Sequence, residues 1–121
     1  MKSLNKDEIY EIRDYTIEEK WFDKYVYWAE NHFIPFANKR IDIIDFWVDR
    51  EIDAEISGAN PVESENGQPN ITWIAKYDSK KERDSFYQSL EEDDEWAKVW
   101  SMHPNPDAYL AKNARFFKKI K

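Results

Sequence analysis

Apolar positions along this chain change their period several times, and each change marks an element. "EIYEIRDY", Glu8 to Tyr15, is rich in Ile and Tyr; read as a strand, it sets Tyr10 and Ile12 on one face and Arg13 and Tyr15 on the other. Thr16 followed by Glu19 has the spacing of a capping box, in which two side chains satisfy backbone N–H groups left open at a helix start. Then Trp21, Phe22, Tyr25, Trp28, Ala29, His32, Phe33 and Phe36 recur at i, i+3, i+4 and i+7, one wide apolar stripe on an amphipathic helix. Pro35 removes a helical hydrogen bond and disfavours helical geometry at Ile34, which predicts a kink or fray just after His32.

"RIDIIDFWVDRE", Arg40 to Glu51, is β-branched and aromatic and reads as a long strand with Ile43, Asp45 and Trp47 on one face and Ile44, Phe46 and Val48 on the other. Ile52 to Pro69 is polar and longer than a hairpin loop, which predicts a flap or a disordered tip. "NITWIAKY", Asn70 to Tyr77, is the third strand, placing Ile71, Trp73, Ala75 and Tyr77 together and pairing Trp73 with Trp47 through the hairpin. Ser79 and Glu82 make a second capping box ahead of a helix whose buried stripe is Phe86, Tyr87 and Leu90. In "EEDDEWAKVW", Glu91 and Glu92 end that helix and Asp93 or Asp94 caps the next, whose apolar face is Trp96, Val99 and Trp100. A turn at Asn105 and Pro106 leads into a fourth strand, "NARFFKKIK".

The order β, α, β, β, α, β predicts an α+β, ferredoxin-like domain spanning residues 1–121, with helices on one face of a four-stranded antiparallel sheet. Nothing is left in the chain to cover the other face. A second copy packed sheet to sheet is the simplest cover.

Charge narrows the function classes. A formal net charge of −7 opposes binding to a phosphate backbone, which draws its affinity from Lys and Arg. The basic cluster Lys112, Arg115, Lys118, Lys119 and Lys121 alternates with aromatics and reads as a solvated strand edge or a docking patch. Nucleic acid is therefore excluded as a partner, and "NITWIAKY" also lacks the Lys/Arg-Gly start of an RNA-stacking strand. With no cysteine, disulfides and thiolate chemistry drop out. No apolar leader and no long apolar run are present, which predicts a cytoplasmic protein without membrane insertion. Two glycines cannot build a phosphate-cradling loop. Aromatic residues make up 17% of the chain, enough that some of that surface is expected to meet a ligand or partner.

"IYEIRDYTI", the His32 and Pro35 of "HFIP", "DFW", and "WIAKYDSKKERDSFYQSL" leading into "DDEWAKVW" together resemble the NIPSNAP family of the dimeric α+β barrel superfamily, from Ile9 to about Trp100. The resemblance implies a homodimer whose two sheets form a barrel, with a pocket in each subunit between sheet and helices. It also implies a range of chemistries, since relatives in the superfamily include cofactor-free monooxygenases, isomerases, cyclases and haem enzymes. The long Ile52 to Pro69 connection and the lack of glycines before the second strand depart from the usual family pattern.

Candidate site residues follow. His32 lies on the apolar stripe beside Pro35 and matches the family's His and Pro pair, so it is the candidate acid or base. Arg13 is the candidate anchor for an anionic group, or else forms an ion pair with a carboxylate such as Asp45. Tyr15, Trp47, Trp73, Trp96, Trp100 and His103 are candidate ligand contacts. No spacing signals a metal site. The leading expectation is a small homodimer that binds an apolar metabolite, neutral or anionic, between sheet and helices without a cofactor, as an isomerase, cyclase or monooxygenase would. The alternatives are a non-enzymatic interaction module and a haem protein ligated through His103.

Overall fold

A computed structural model describes residues 5–121; residues 1–4 of the expected domain lie outside that range. The chain runs β1 (Ile9–Ile17), α1 (Glu19–Trp28), a wide π-type turn (Ala29–Phe33), α2 (Ile34–Asn38), β2 (Asp42–Val48), β3 (Ile71–Tyr77), α3 (Lys80–Ser89), α4 (Asp94–Ser101) and β4 (Tyr109–Phe117). All strand pairings are antiparallel and the order across the sheet is β2-β3-β1-β4. This is the ferredoxin-like βαββαβ arrangement the sequence pattern predicts.

Register decides which side chains meet the helices. Ile9 stands opposite Tyr77, Glu11 opposite Ala75, Arg13 opposite Trp73 and Tyr15 opposite Ile71, so these pairs share the inner face. There Ile9, Tyr15, Ile71, Trp73, Ala75 and Tyr77 join Phe22, Tyr25, Trp28, Phe36 and Val99 in one core. Each fully buried large apolar side chain of this kind contributes about 1.5–3 kcal/mol by its removal from water. Tyr10, Ile12, Asp14 and, across β3, Thr72 and Ile74 occupy the opposite, open face.

Two of the expected caps form and one does not. Ser79 accepts the Glu82 backbone N–H at 3.1 Å, and Asp93, of the two acids considered, accepts from Glu95 and Trp96 at 2.9 and 3.1 Å. Thr16 does not cap α1. It stays in β1 paired to Ala111, and the helix starts after Glu18, whose side chain makes no capping bond. Pairing with β4 continues to Ile17 opposite Tyr109, so extended backbone persists where the box needed a turn.

Pro35 ends no helix. The expected fray does not occur: the chain passes from α1 through the π-type turn into α2, with the Ile34 N–H bonded to the Ala29 carbonyl five residues back, and the wider turn accommodates the proline ring that follows. The stripe of Phe22, Tyr25, Trp28, Ala29 and Phe36 is buried as expected, whereas Phe86, Tyr87 and Leu90 of the second stripe are half-buried.

β2 departs from simple alternation. Ile43 stands opposite Ala75 and Asp45 opposite Ile74, so Ile44 is an extra, bulged residue. Beyond the bulge the faces exchange: Phe46 stands opposite Trp73 on the inner face, and Trp47 opposite Thr72 on the open face, 45% exposed. Phe46, not Trp47, therefore stacks on Trp73, with ring centroids 5.9 Å apart and planes 12° apart.

β4 starts four residues before the expected Asn113 and ends at Phe117, because its ladder with β1 runs from Tyr109. Between β2 and β3 the Ile52 to Pro69 connection is irregular and largely exposed. Its base is held by Asn70, whose side chain exchanges two 2.9 Å bonds with the Ile17 backbone, and by an Arg50–Asp23 pair at 2.7 Å.

Candidate ligand cavity

Between the inner face of the sheet and the helices lies a cavity of about 160 Å³. Its floor is Arg13 and Tyr15 of β1 with Trp73 of β3; its walls include Trp28, Phe33, Tyr87, Trp96 and Trp100, and Tyr109 and Lys112 of β4 close one side. Rings meet edge to face or stacked around it, Phe33 on Trp73 at 5.3 Å and Trp96 on Trp100 at 5.7 Å, which fixes the aromatic walls.

The charged group at the floor is held from behind. Glu11 is completely buried and its Oε2 accepts from Arg13 at 3.0 Å and from Arg83 of α3 at 2.7 Å. Arg13 also donates Nε–H to the Tyr15 hydroxyl at 2.7 Å and lies over the Tyr15, Trp73 and Tyr87 rings at 5.2–5.8 Å. Burial works against the guanidinium's charge, but Tyr15, Tyr87 and Glu11 outweigh it and raise its pKa further above its ordinary value. Burial likewise raises the phenols of Tyr25, Tyr87 and Tyr109. They stay protonated at neutral pH, so each keeps an O–H that can donate.

His103 sits behind Tyr109, buried between Trp28 at 4.5 Å and Trp100 at 4.6 Å. Its Nδ1 accepts the Asn105 backbone N–H at 3.1 Å, so the ring proton is on Nε2, which donates to the Tyr109 hydroxyl at 2.8 Å. Burial, with a smaller effect of Lys112, pushes its pKa down to about 4. A neutral imidazole with both nitrogens engaged, beside a single-ring-sized cavity, does not fit haem. Among the described residues no group of three or more His, Asp or Glu side chains is placed to hold a metal.

The structure thus brings Arg13, Tyr15, Trp73, Trp96 and Trp100 to one cavity, with His103 one hydrogen bond behind it. His32 and Trp47 lie elsewhere. The wide turn inserts one residue, so Phe33 takes the inward position and His32 rotates to a shallow surface depression beside Tyr27 and Met102. Asp45 is on the open face, opposite to Arg13; the carboxylate that pairs with Arg13 is Glu11. Glu11, Arg83, Tyr25, Tyr87, Tyr109 and Lys112 were not among the sequence-derived candidates. A signal existed for the first: Glu11, Arg13 and Tyr15 fall at i, i+2 and i+4 of one strand and must share a face.

No family model matches the sequence, and no curated protein matches it. Solved structures share its fold. A NIPSNAP family protein from Agrobacterium tumefaciens superposes with a TM-score of 0.68 at 15% identity, over 97% of this chain and 90% of that one. An uncharacterised NIPSNAP-like domain protein from Burkholderia xenovorans gives 0.67 at 12%, over 94% and 86%. A candidate antibiotic biosynthesis monooxygenase from Nitrosomonas europaea gives 0.55 at 8%, over 94% and 91%. Several of the matching structures are NIPSNAP family proteins, and the fold is the one that the sequence resemblance implied. Among the described residues no helix is long and apolar enough to cross a membrane.

Proposed function

We propose that this chain is a NIPSNAP-like protein that binds one small, largely apolar metabolite in the cavity between its sheet and helices. The observation that carries the reading is the cavity itself: aromatic walls around about 160 Å³, with one buried guanidinium at the floor. An apolar hole of that size in a protein interior accepts one benzene-sized ring. Few convergent polar groups in an apolar pocket are the usual form of a small-molecule site.

Among the described residues the lining contains no carboxylate, and the nearby imidazole of His103 is neutral with both nitrogens engaged. These groups bind and stabilise a negative charge and do not abstract a proton. Chemistry of the cofactor-free isomerase, cyclase or monooxygenase kind would need its basic group on the ligand.

A second copy covers the open face of the sheet in this reading. Ile12 and Ile74 are paired at its centre, with Tyr10, Trp47 and Phe117 around them and the Asp14–Arg115 pair at 3.0 Å beside them. A half-apolar, half-polar sheet surface of this kind suits sheet-to-sheet packing between copies. A cysteine-free chain suits a reducing compartment, and we assign it to the cytoplasm.

The test is a thermal-shift and tryptophan-emission screen of single-ring compounds against the full chain. Binding to the native state raises the melting temperature, and it perturbs the emission of the tryptophans in the cavity wall. A screen in which no ring compound moves either signal rejects the reading.

A further inference from the structure

Counting donors and acceptors in the cavity assigns its ligand a charge. The Tyr15 oxygen accepts from Arg13 Nε at 2.7 Å and from Trp73 Nε1 at 3.2 Å. Both of its lone pairs are then used, and its own proton has no assigned partner. Tyr109 accepts from His103 Nε2–H at 2.8 Å, because Asn105 already occupies Nδ1. Its oxygen also accepts from the Tyr25 hydroxyl, a bond that favours the ionised form of Tyr109 and the protonated form of Tyr25. The Tyr109 proton is then left to donate. The two phenols stand together at the cavity, ring centroids 5.3 Å apart.

Charge balance points the same way. Arg13, Arg83 and Lys80 share the two carboxylates Glu11 and Asp84 through contacts of 2.7–3.1 Å, three cations for two acids. Of these five groups, Arg13 is the one that lines the cavity. Lys112 lines it too, over the Tyr109 ring at 4.8 Å, and among the described residues no carboxylate pairs with it. Every charged group on the lining is positive. A neutral ring would leave buried donors without acceptors, and a cation would meet Arg13.

We infer that the cavity is a site for a planar oxyanion, a single-ring carboxylate or phenolate, its ring among Trp28, Trp73 and Trp96 and its negative oxygen on Arg13, Tyr15 and Tyr109. This rests on the cavity being a ligand site and adds the ligand's charge. Glu11 and His103 are positioning residues. Glu11 holds the guanidinium toward the cavity, and His103 fills an acceptor position of Tyr109 so that the phenol donates.

Titration calorimetry of the full chain at neutral pH with benzoate, benzyl alcohol and benzylamine tests it, since the three share a ring and differ in charge. Benzoate is expected to bind at least about tenfold more tightly than benzyl alcohol, the scale of a charge-assisted hydrogen bond, and benzylamine not at all. Arg13→Met should remove the preference and retain benzyl alcohol binding. Tyr109→Phe, which keeps the core ring, should weaken benzoate more than benzyl alcohol. Benzyl alcohol binding as tightly as benzoate, or benzylamine binding best, would overturn the inference while leaving the cavity a ligand site. If none of the three rings binds, both fall. The ranking on the unmodified protein decides even where Arg13→Met does not fold.

Discussion

His103 donates Nε2–H to the Tyr109 hydroxyl at 2.8 Å, and the direction of that bond is fixed from the far side of the ring, where Asn105 donates its backbone N–H to Nδ1. A buried imidazole in this arrangement is neutral, and burial takes its pKa from an ordinary 6.5 down to about 4. The unfolded chain binds a proton between those values that the folded chain refuses. Stability from this source is complete above pH 6.5 and is lost as pH falls toward 4, on the order of 2 kcal/mol after allowance for solvent at the rim. Urea midpoints for the native chain and His103→Gln should diverge above pH 6.5 and converge near pH 4. An NMR titration placing the His103 ring near 6.5 would refute the assignment.

The bulge at Ile44 makes a contrast between neighbours. Phe46 lies between Phe33 at 6.2 Å and Trp73 at 5.9 Å, whereas Trp47 faces outward. Phe46→Ala should cost about 2–3 kcal/mol in urea unfolding, the cost of a cavity in a partly buried aromatic stack. Trp47→Ala should cost less than about 1 kcal/mol in the isolated subunit. The reverse order would restore the unbulged register.

Glu11 carries two guanidiniums at zero exposure, so its removal leaves uncompensated charge in the core. Glu11→Gln should destabilise by about 3 kcal/mol, near the lower end for a broken buried ion pair. Asp45→Asn, on the open face, should change the unfolding midpoint little. Comparable losses from both variants would place the partner of Arg13 wrongly.

A second copy over the open sheet face, as proposed, predicts an oligomer. Light scattering at micromolar concentration should give twice the chain mass of 14.7 kDa. Trp47→Glu places a charge on that face and should return the single-chain mass with the fold intact by circular dichroism. A native chain that scatters as one subunit would remove the dimer from the account.

Much of this was legible because burial leaves a period. The stripe from Phe22 to Phe36 locates α1 and its inward face, and the Ser79 to Glu82 offset and the acids Asp93 and Asp94 ahead of Trp96 locate two helix starts, since capping is a local bond between residues close in sequence. Trp73, Trp96, Trp100, Arg13 and Tyr15 came out at the cavity for the same reason: strand and helix periods alone set their faces. The remainder depended on tertiary partners. Alternation read straight through β2 put Trp47 beside Trp73, and only the pairing of Ile43 with Ala75 and Asp45 with Ile74 reveals the extra residue. An unbroken 3.6 period turns His32 inward, and the π-type turn interrupts that period. Thr16 had the spacing of a cap, but the ladder with β4 claimed it first. Tyr109 and Lys112 carry no such signal, because β4 begins before the apolar run that marks it in the sequence.

In the proposed complex a small planar anion sits in the sheet–helix cavity on Arg13. A crystal soaked in 4-bromobenzoate tests it most directly, since bromine marks its own position by anomalous scattering. The bromine peak is expected among Trp28, Trp73 and Trp96 with the carboxylate against Arg13 and Tyr15. A bromine peak confined to the protein surface, or the ring in the cavity with its carboxylate turned away from Arg13, would contradict it.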